Sequence, residues 1–280
     1  MKKLTALYLM VIIILSTIIL HRIYSQTETT ITYFPPDETV SFVEHSTTLD
    51  IIKLANKHAE IEWNVHSKTN KPMYLRQDVS LVYADGKLKA IHNKWLQQTD
   101  LISFQEKLTG DERVWQAITL HHGESHVNEE TIRSKQLMSS DTLFIKRLSS
   151  DQVITFHQAQ SVEEQRIKEE LINQLQLHPF WDKLINHFNI QQNDYEMIPL
   201  THLPEYSNKP LPNLDQKQTA QVIGQLWEGL YKNYLIPIVS AKKTIQAGIP
   251  IILISKNHDH LLILYDIDGE KQKLIQNIPF

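Results

Sequence analysis

Seventeen consecutive uncharged residues, Leu4 to Leu20, stand directly behind Met1-Lys2-Lys3, and no water-exposed surface accommodates so apolar a run. As a helix it spans roughly 25 Å, the short end of what a bilayer core requires. Lys2 and Lys3 precede it and only Arg22 follows closely, so the N-terminus is expected to stay cytoplasmic while everything beyond about residue 24 crosses. Tyr8 and Tyr24 bracket the run as interfacial aromatics do. A cleaved signal peptide has an apolar core of roughly 7–15 residues and a small-residue cleavage site. Here the run is longer, Ile23 occupies the position two before Ser25, and Ala6 lies too early to help. An uncleaved signal anchor is the expectation, with secretion after cleavage as the alternative.

The remaining chain reads as an ordinary folded body, since 41% hydrophobic and 21% charged residues are typical of globular domains. There is no cysteine. That excludes disulfides, thiolate catalysis, cysteine-based metal sites and lipid attachment at a processed N-terminal cysteine. It also suits a Gram-positive bacterial envelope better than a eukaryotic secretory route. Setting aside Lys2, Lys3 and Arg22, the formal charge of −4 becomes −7 for the exported part, which holds 13 of the 14 histidines. Such a body lacks the basic footprint of a nucleic-acid binder. Histidine titrates near pH 6.5, so mild acidification would reverse the sign of that surface.

The hydrophobic pattern divides the chain into residues 1–24 (anchor), 25–48 (polar, threonine-rich stalk with Pro35-Pro36), 49–157 (β-rich) and 158–280 (helices, then a β-meander). Ile61, Trp63 and Val65 alternate with Glu62 and Asn64, the period-two signature of a half-buried strand. Asp85-Gly86 suits a two-residue hairpin, because both residues tolerate positive φ. Thr99–Leu108 reads as a short helix, while Trp115–Leu120 and Thr142–Ile145 read as strands. Ser161 and Glu164 have the spacing of a capping box. Pro179 opens a second helix, and Asn213 is the expected cap of a third, whose stripe is Val222, Ile223, Leu226, Leu230 and Tyr234. Gly224 and Gly229 weaken that helix unless they admit a close neighbour. Three terminal strands follow, over 249–255, 261–266 and 273–278. The expected fold class is α+β: an N-terminal transmembrane helix, then an extracytoplasmic body of antiparallel β-meanders with three or four packing helices. The five tryptophans fall at core-like positions.

Two histidine clusters carry the clearest chemistry. His121-His122-Gly123-Glu124-Ser125-His126 places three imidazoles and a carboxylate within six residues, ligands that zinc accepts without cysteine. In a strand, His122, Glu124 and His126 would share one side. The run is not the H-E-x-x-H motif. His258-Asp259-His260 adds an H-x-H pair with both imidazoles on one side of a strand. Convergence of the two clusters would supply four nitrogen ligands. There is no G-x-S-x-G elbow, and the seven glycines form no phosphate-cradling loop. The leading expectation is therefore a membrane-anchored binding or regulatory module of the cell envelope, without a cofactor and with envelope proteins or cell-wall components as partners. A zinc-dependent envelope hydrolase built on His121, His122, Glu124 and His126, joined by His258 and His260, is the first alternative. A histidine-based pH sensor is the second.

Overall fold

The computed structural model describes residues 32–54, 58–126, 128, 131–149, 152–241 and 245–278. The apolar run at residues 4–20 lies outside them, and no described helix is long and apolar enough to cross a membrane. Tyr33–Phe280 forms one compact unit.

Six antiparallel strands form the larger sheet: β1 (Phe42–Leu54), β2 (Ala59–Ala84), β3 (Lys87–Gly110), β4 (Val114–His126), β5 (Ile132–Arg147) and β6 (Val153–Phe156). The β2–β3 hairpin closes at Asp85-Gly86, with φ of 46° and 79° as its turn requires. At 26 residues, β2 would extend roughly 85 Å, far more than a body this size can hold straight. It bends where the register with β3 shifts between Lys68 and Met73, across Lys71-Pro72. Before the bend β2 pairs with β1, after it with β4, and β3 follows it throughout. The sheet thus folds over on itself as a sandwich.

One end of the sandwich interior is apolar. Leu49, Ile61, Trp63 and Val65 of one half meet Val82, Ala84, Trp115, Ala117, Leu143 and Ile145 of the other. Trp63 and Trp115 are completely buried, each contributing roughly 4–6 kcal/mol of gross burial energy. Trp181 and Trp227 are core residues as well, but Trp95 is 45% exposed.

The β4 face opposite the sandwich interior is covered by the second half of the chain. Helices α1 (Val162–Gln174), α2 (Leu177–His187), α3 (Gln216–Leu230) and α4 (Ile236–Ser240) accompany a second antiparallel sheet in the order β10-β9-β8-β7. Its strands are β7 (Tyr195–Pro199), β8 (Ile251–Ser255), β9 (His260–Ile267) and β10 (Glu270–Asn277). Ser161 and Glu164 form the expected capping box. A π turn at Tyr231–Leu235 joins α3 to α4. Pro237 has no N–H for the Asn233 carbonyl, and the Tyr265 hydroxyl donates to it instead, at 3.1 Å.

Three expectations change. Thr99–Leu108 belongs to strand β3: the inward positions are Ile102 and Leu108, two-residue spaced through Phe104, whereas Leu101, which suggested helical spacing, is 42% exposed. The cap of α3 is Asp215, in a capping box with Gln218, while Asn213 takes a positive-φ turn. The span 33–48 is built into the body instead of forming a stalk. Asp37 N–H donates to the Ser134 carbonyl at 2.9 Å, and β1 begins at Phe42. Tyr33 lies over α3 so closely that a Cβ on Gly224 would meet its ring at 2.3 Å, which is why glycine stands there.

Candidate functional site

Strand alternation divides the His121–His126 cluster between two faces of β4. His121 points into the sandwich interior beside Asp78. His122 and Glu124 lie on the opposite face, where His122 is fully buried. The Gln136 amide lies 3.1 Å from His122 Nδ1, and His122 Nε2 lies 3.0 Å from Glu124 Oε1. Read as amide donating to Nδ1 and Nε2–H donating to the carboxylate, both nitrogens are engaged. His126, at the strand end, stacks on Tyr74 with ring centroids 3.6 Å apart. His258 sits in the turn before β9, its Nε2 taking the Asn213 amide at 2.8 Å. His260 contacts the Tyr195 hydroxyl at 2.9 Å and Asp259 at 2.6 Å. Among the described residues, no hydrogen bond or ring contact joins the two clusters, and no group of three or more His, Asp and Glu is arranged to hold a metal ion.

What surrounds His121 was not legible as a site. The second end of the sandwich interior is polar: Arg76, Asp78, Ser80, Ser67, Thr119 and His121 are all buried to the last percent. His121 Nδ1 is 2.8 Å from Asp78 Oδ2, and Nε2 is 2.7 Å from Ser139 Oγ. Ser67 donates to the same Asp78 oxygen at 2.6 Å, and Arg76 donates to Ser67 and to the Asp100 carbonyl. Arg76 Nη2 lies 3.6 Å from Asp78 Oδ1, which has no hydrogen-bond donor of its own. Burial pulls the Arg76 pKa below its ordinary value, against the opposing pull of Asp78.

By distance alone Ser139, His121 and Asp78 match a serine nucleophile, its base and the acid that orients it. The order of protons opposes that role. Thr47 donates to Thr119 at 2.6 Å, and a hydroxyl carries a single hydrogen. The 2.6 Å contact between Thr47 and Ser139 therefore takes its hydrogen from Ser139. With that hydrogen engaged, the short contact to His121 requires Nε2–H as donor. An imidazole whose Nε2 already bears hydrogen cannot act as the base for Ser139.

A wide opening lies elsewhere, on the helix-covered side. A cleft of about 890 Å³ runs between β4–β5, α1, α2 and the β7 side of the second sheet. Most charged groups on its wall are already paired. Asp141 meets His157 at 2.8 Å, and Glu205 meets Lys209 at 3.4 Å and His202 at 3.6 Å. What remains is the Lys168 ammonium and the His178 ring, the hydroxyls of Ser140 and Thr142, the amides of Gln158 and Gln160, and aliphatic surface from Leu177 and Met197. Gln116 donates to Thr201 at 3.2 Å, leaving its buried Oε1 without a donor. None of the lining was singled out as functional from sequence. The residues come from β4, β5, β7, β8, α1, α2 and the turns between them, and none forms a motif.

No protein-family profile and no curated protein matches the chain. Among solved structures, it is similar to β-glucuronidase 2 of Bacteroides uniformis covalently bound to cyclophellitol-6-carboxylate aziridine, at 13% identity and a TM-score of 0.25. A second crystal structure of Bacteroides uniformis β-glucuronidase matches at 12% identity and a TM-score of 0.24. Each match covers 68% of this chain but only 26% of the glucuronidase, so the chain spans about a quarter of the length of these neighbours. At a TM-score this low the likeness carries neither fold nor activity across.

Proposed function

We propose that the chain is a binding module of the bacterial cell envelope, held to the membrane through residues 4–20 and using the cleft beside β4–β5 for envelope proteins or cell-wall components. The observation that carries this reading is the cleft itself: about 890 Å³, walled on several sides, with its acids engaged and its amides and hydroxyls open. Pockets of this size and mixed lining are the usual seats of ligands. The proton order around His121 supports binding over acyl transfer, since Ser139 is not activated.

Filling the cleft is the test. Ser140 is exposed on its wall, so Ser140→Trp adds bulk without touching a buried group. Full-length chain in detergent micelles, titrated with solubilised membrane and cell-wall fractions, is expected to bind a component that Ser140→Trp loses by tenfold or more. Equal binding by both chains would remove the cleft from the reading.

A further inference from the structure

The cleft beside β4–β5 carries an uneven charge. Both of its acids are engaged: Asp141 by His157 and by the Leu49 and Thr142 amides, Glu205 by Lys209 and His202. Helix α1 adds a cation there and no free acid. Its Glu163 meets Arg166, Glu164 accepts from the Gln160 and Ser161 amides, Glu169 accepts from Gln165, and Glu170 meets Lys146. Lys168 lies half-buried on the cleft wall, and among the described residues it has no carboxylate within ion-pair distance. Helical spacing puts it there. Ile167 and Leu171 enter the core beside Val114 and Phe144, and the neighbouring stripe of Lys168, Ile172 and Leu175 borders the opening.

The sheet side of the cleft is neutral and polar. Ser140 and Thr142, two residues apart on β5, present their hydroxyls from one face of the strand, and Gln158 and Gln160 continue the polar side beyond β6. These are side-chain hydroxyls and amides on a sheet face, not the main-chain edge with which an extended peptide pairs. Groups that both donate and accept suit the hydroxyls of a sugar, which do the same. Leu177 and Met197 offer an apolar seat for the C–H faces of its rings. The volume of about 890 Å³ falls within the range of ligand pockets, roughly 300–1,000 Å³.

We infer that the ligand of this cleft is an acidic saccharide, its anionic group (carboxylate or phosphate) on Lys168 and its hydroxyls along Ser140, Thr142, Gln158 and Gln160. This ligand class rests on the reading of the cleft as the binding site and adds to it the sign of the charge. A hydrogen bond from an ammonium to an anion is about twice as strong as one between neutral groups. Lys168 therefore selects an acidic chain over its neutral counterpart, while the hydroxyls and amides bind the two alike.

The test titrates the full-length chain in detergent micelles, by calorimetry, with two matched pairs of probes. One pair is tetragalacturonate and its neutral methyl ester; the other is maltotetraose phosphate and plain maltotetraose. At least one acidic probe is expected to bind about tenfold more tightly than its neutral counterpart, and the pair showing the difference identifies the anion. Lys168→Gln should abolish that preference and leave neutral binding unchanged, while Lys168→Arg keeps it. Because Lys168 has no partner, these substitutions break no contact of the fold. Equal affinity within both pairs, binding of neither acidic probe, or a preference that survives Lys168→Gln would overturn the inference. Ser140→Trp tells this failure from failure of the cleft. Probes that Ser140→Trp excludes but Lys168→Gln does not affect leave the cleft without its charge preference. An acidic probe that binds Ser140→Trp as it binds the unaltered chain removes the cleft, and the ligand class with it.

Discussion

The two ends of the sandwich interior are built from the same strands in the same register, yet one is hydrocarbon and the other a hydrogen-bonded polar lattice. On β2 the inward row runs Arg76, Asp78, Ser80, then Val82 and Ala84; on β4 it runs His121 and Thr119, then Ala117 and Trp115. The apolar end is stabilised by area and shape, which are forgiving of small rearrangement. The polar end contains a guanidinium, a carboxylate and an imidazole without solvent, and such groups are tolerable only while every partner is in place. Chemistry that needs direction therefore collects at one end, and packing at the other.

The comparison breaks most readily at Asp78. Asp78→Ala leaves Arg76 buried without its carboxylate and should cost about 3–5 kcal/mol in urea unfolding. A loss below about 1 kcal/mol would mean that water reaches the polar end. Leu143→Ala, at the apolar end, should cost about 3 kcal/mol through the cavity it leaves, with the His121 ring signals unchanged. Changed ring signals would show the two ends to be coupled.

Asp37 offers a control outside the sandwich. Burial would raise its pKa, but hydrogen bonds from Ser125 and Thr39 and the charge of Lys71 outweigh that and bring it down to about 2, from an ordinary 3.8. A depressed carboxylate stabilises the fold above its unfolded pKa and loses that contribution as the pH falls. The unaltered chain should thus lose about 2 kcal/mol between pH 4 and pH 2 relative to Asp37→Asn. If the two chains fall in parallel, the acid limb belongs to other groups. The smallest effect is expected from Thr47→Val, about 1 kcal/mol for the exchanged hydrogen bonds, restored by Thr47→Ser; no restoration would assign the loss to packing.

Much of the architecture was legible because it is local. Ile61, Trp63 and Val65 announce a strand by alternation, Asp85-Gly86 announces its hairpin, and Ser161 with Glu164 announces a helix start. Thr99–Leu108 misled because Leu101, Phe104 and Leu108 mimic helical spacing, and only pairing with β2 shows Leu101 to lie outside. The shared side of His122 and Glu124 follows from strand geometry. Nothing local, however, joins Thr47 to Ser139 across 92 positions or Asp78 to His121 across 43.

By itself the sequence determined the class of the body, the start of helix α1, its acidic charge and its lack of cysteine chemistry, since these depend on neighbours within a few residues. Only the tertiary structure decided that β2 bends over on itself. That bend brings Ser67 within 2.6 Å of Asp78 and sets β1 beside β5, so that hydroxyls from distant strands meet the two nitrogens of one imidazole. Hydrogen bonds reach about 3 Å and proton order has a direction, and neither is encoded until the strands are in register.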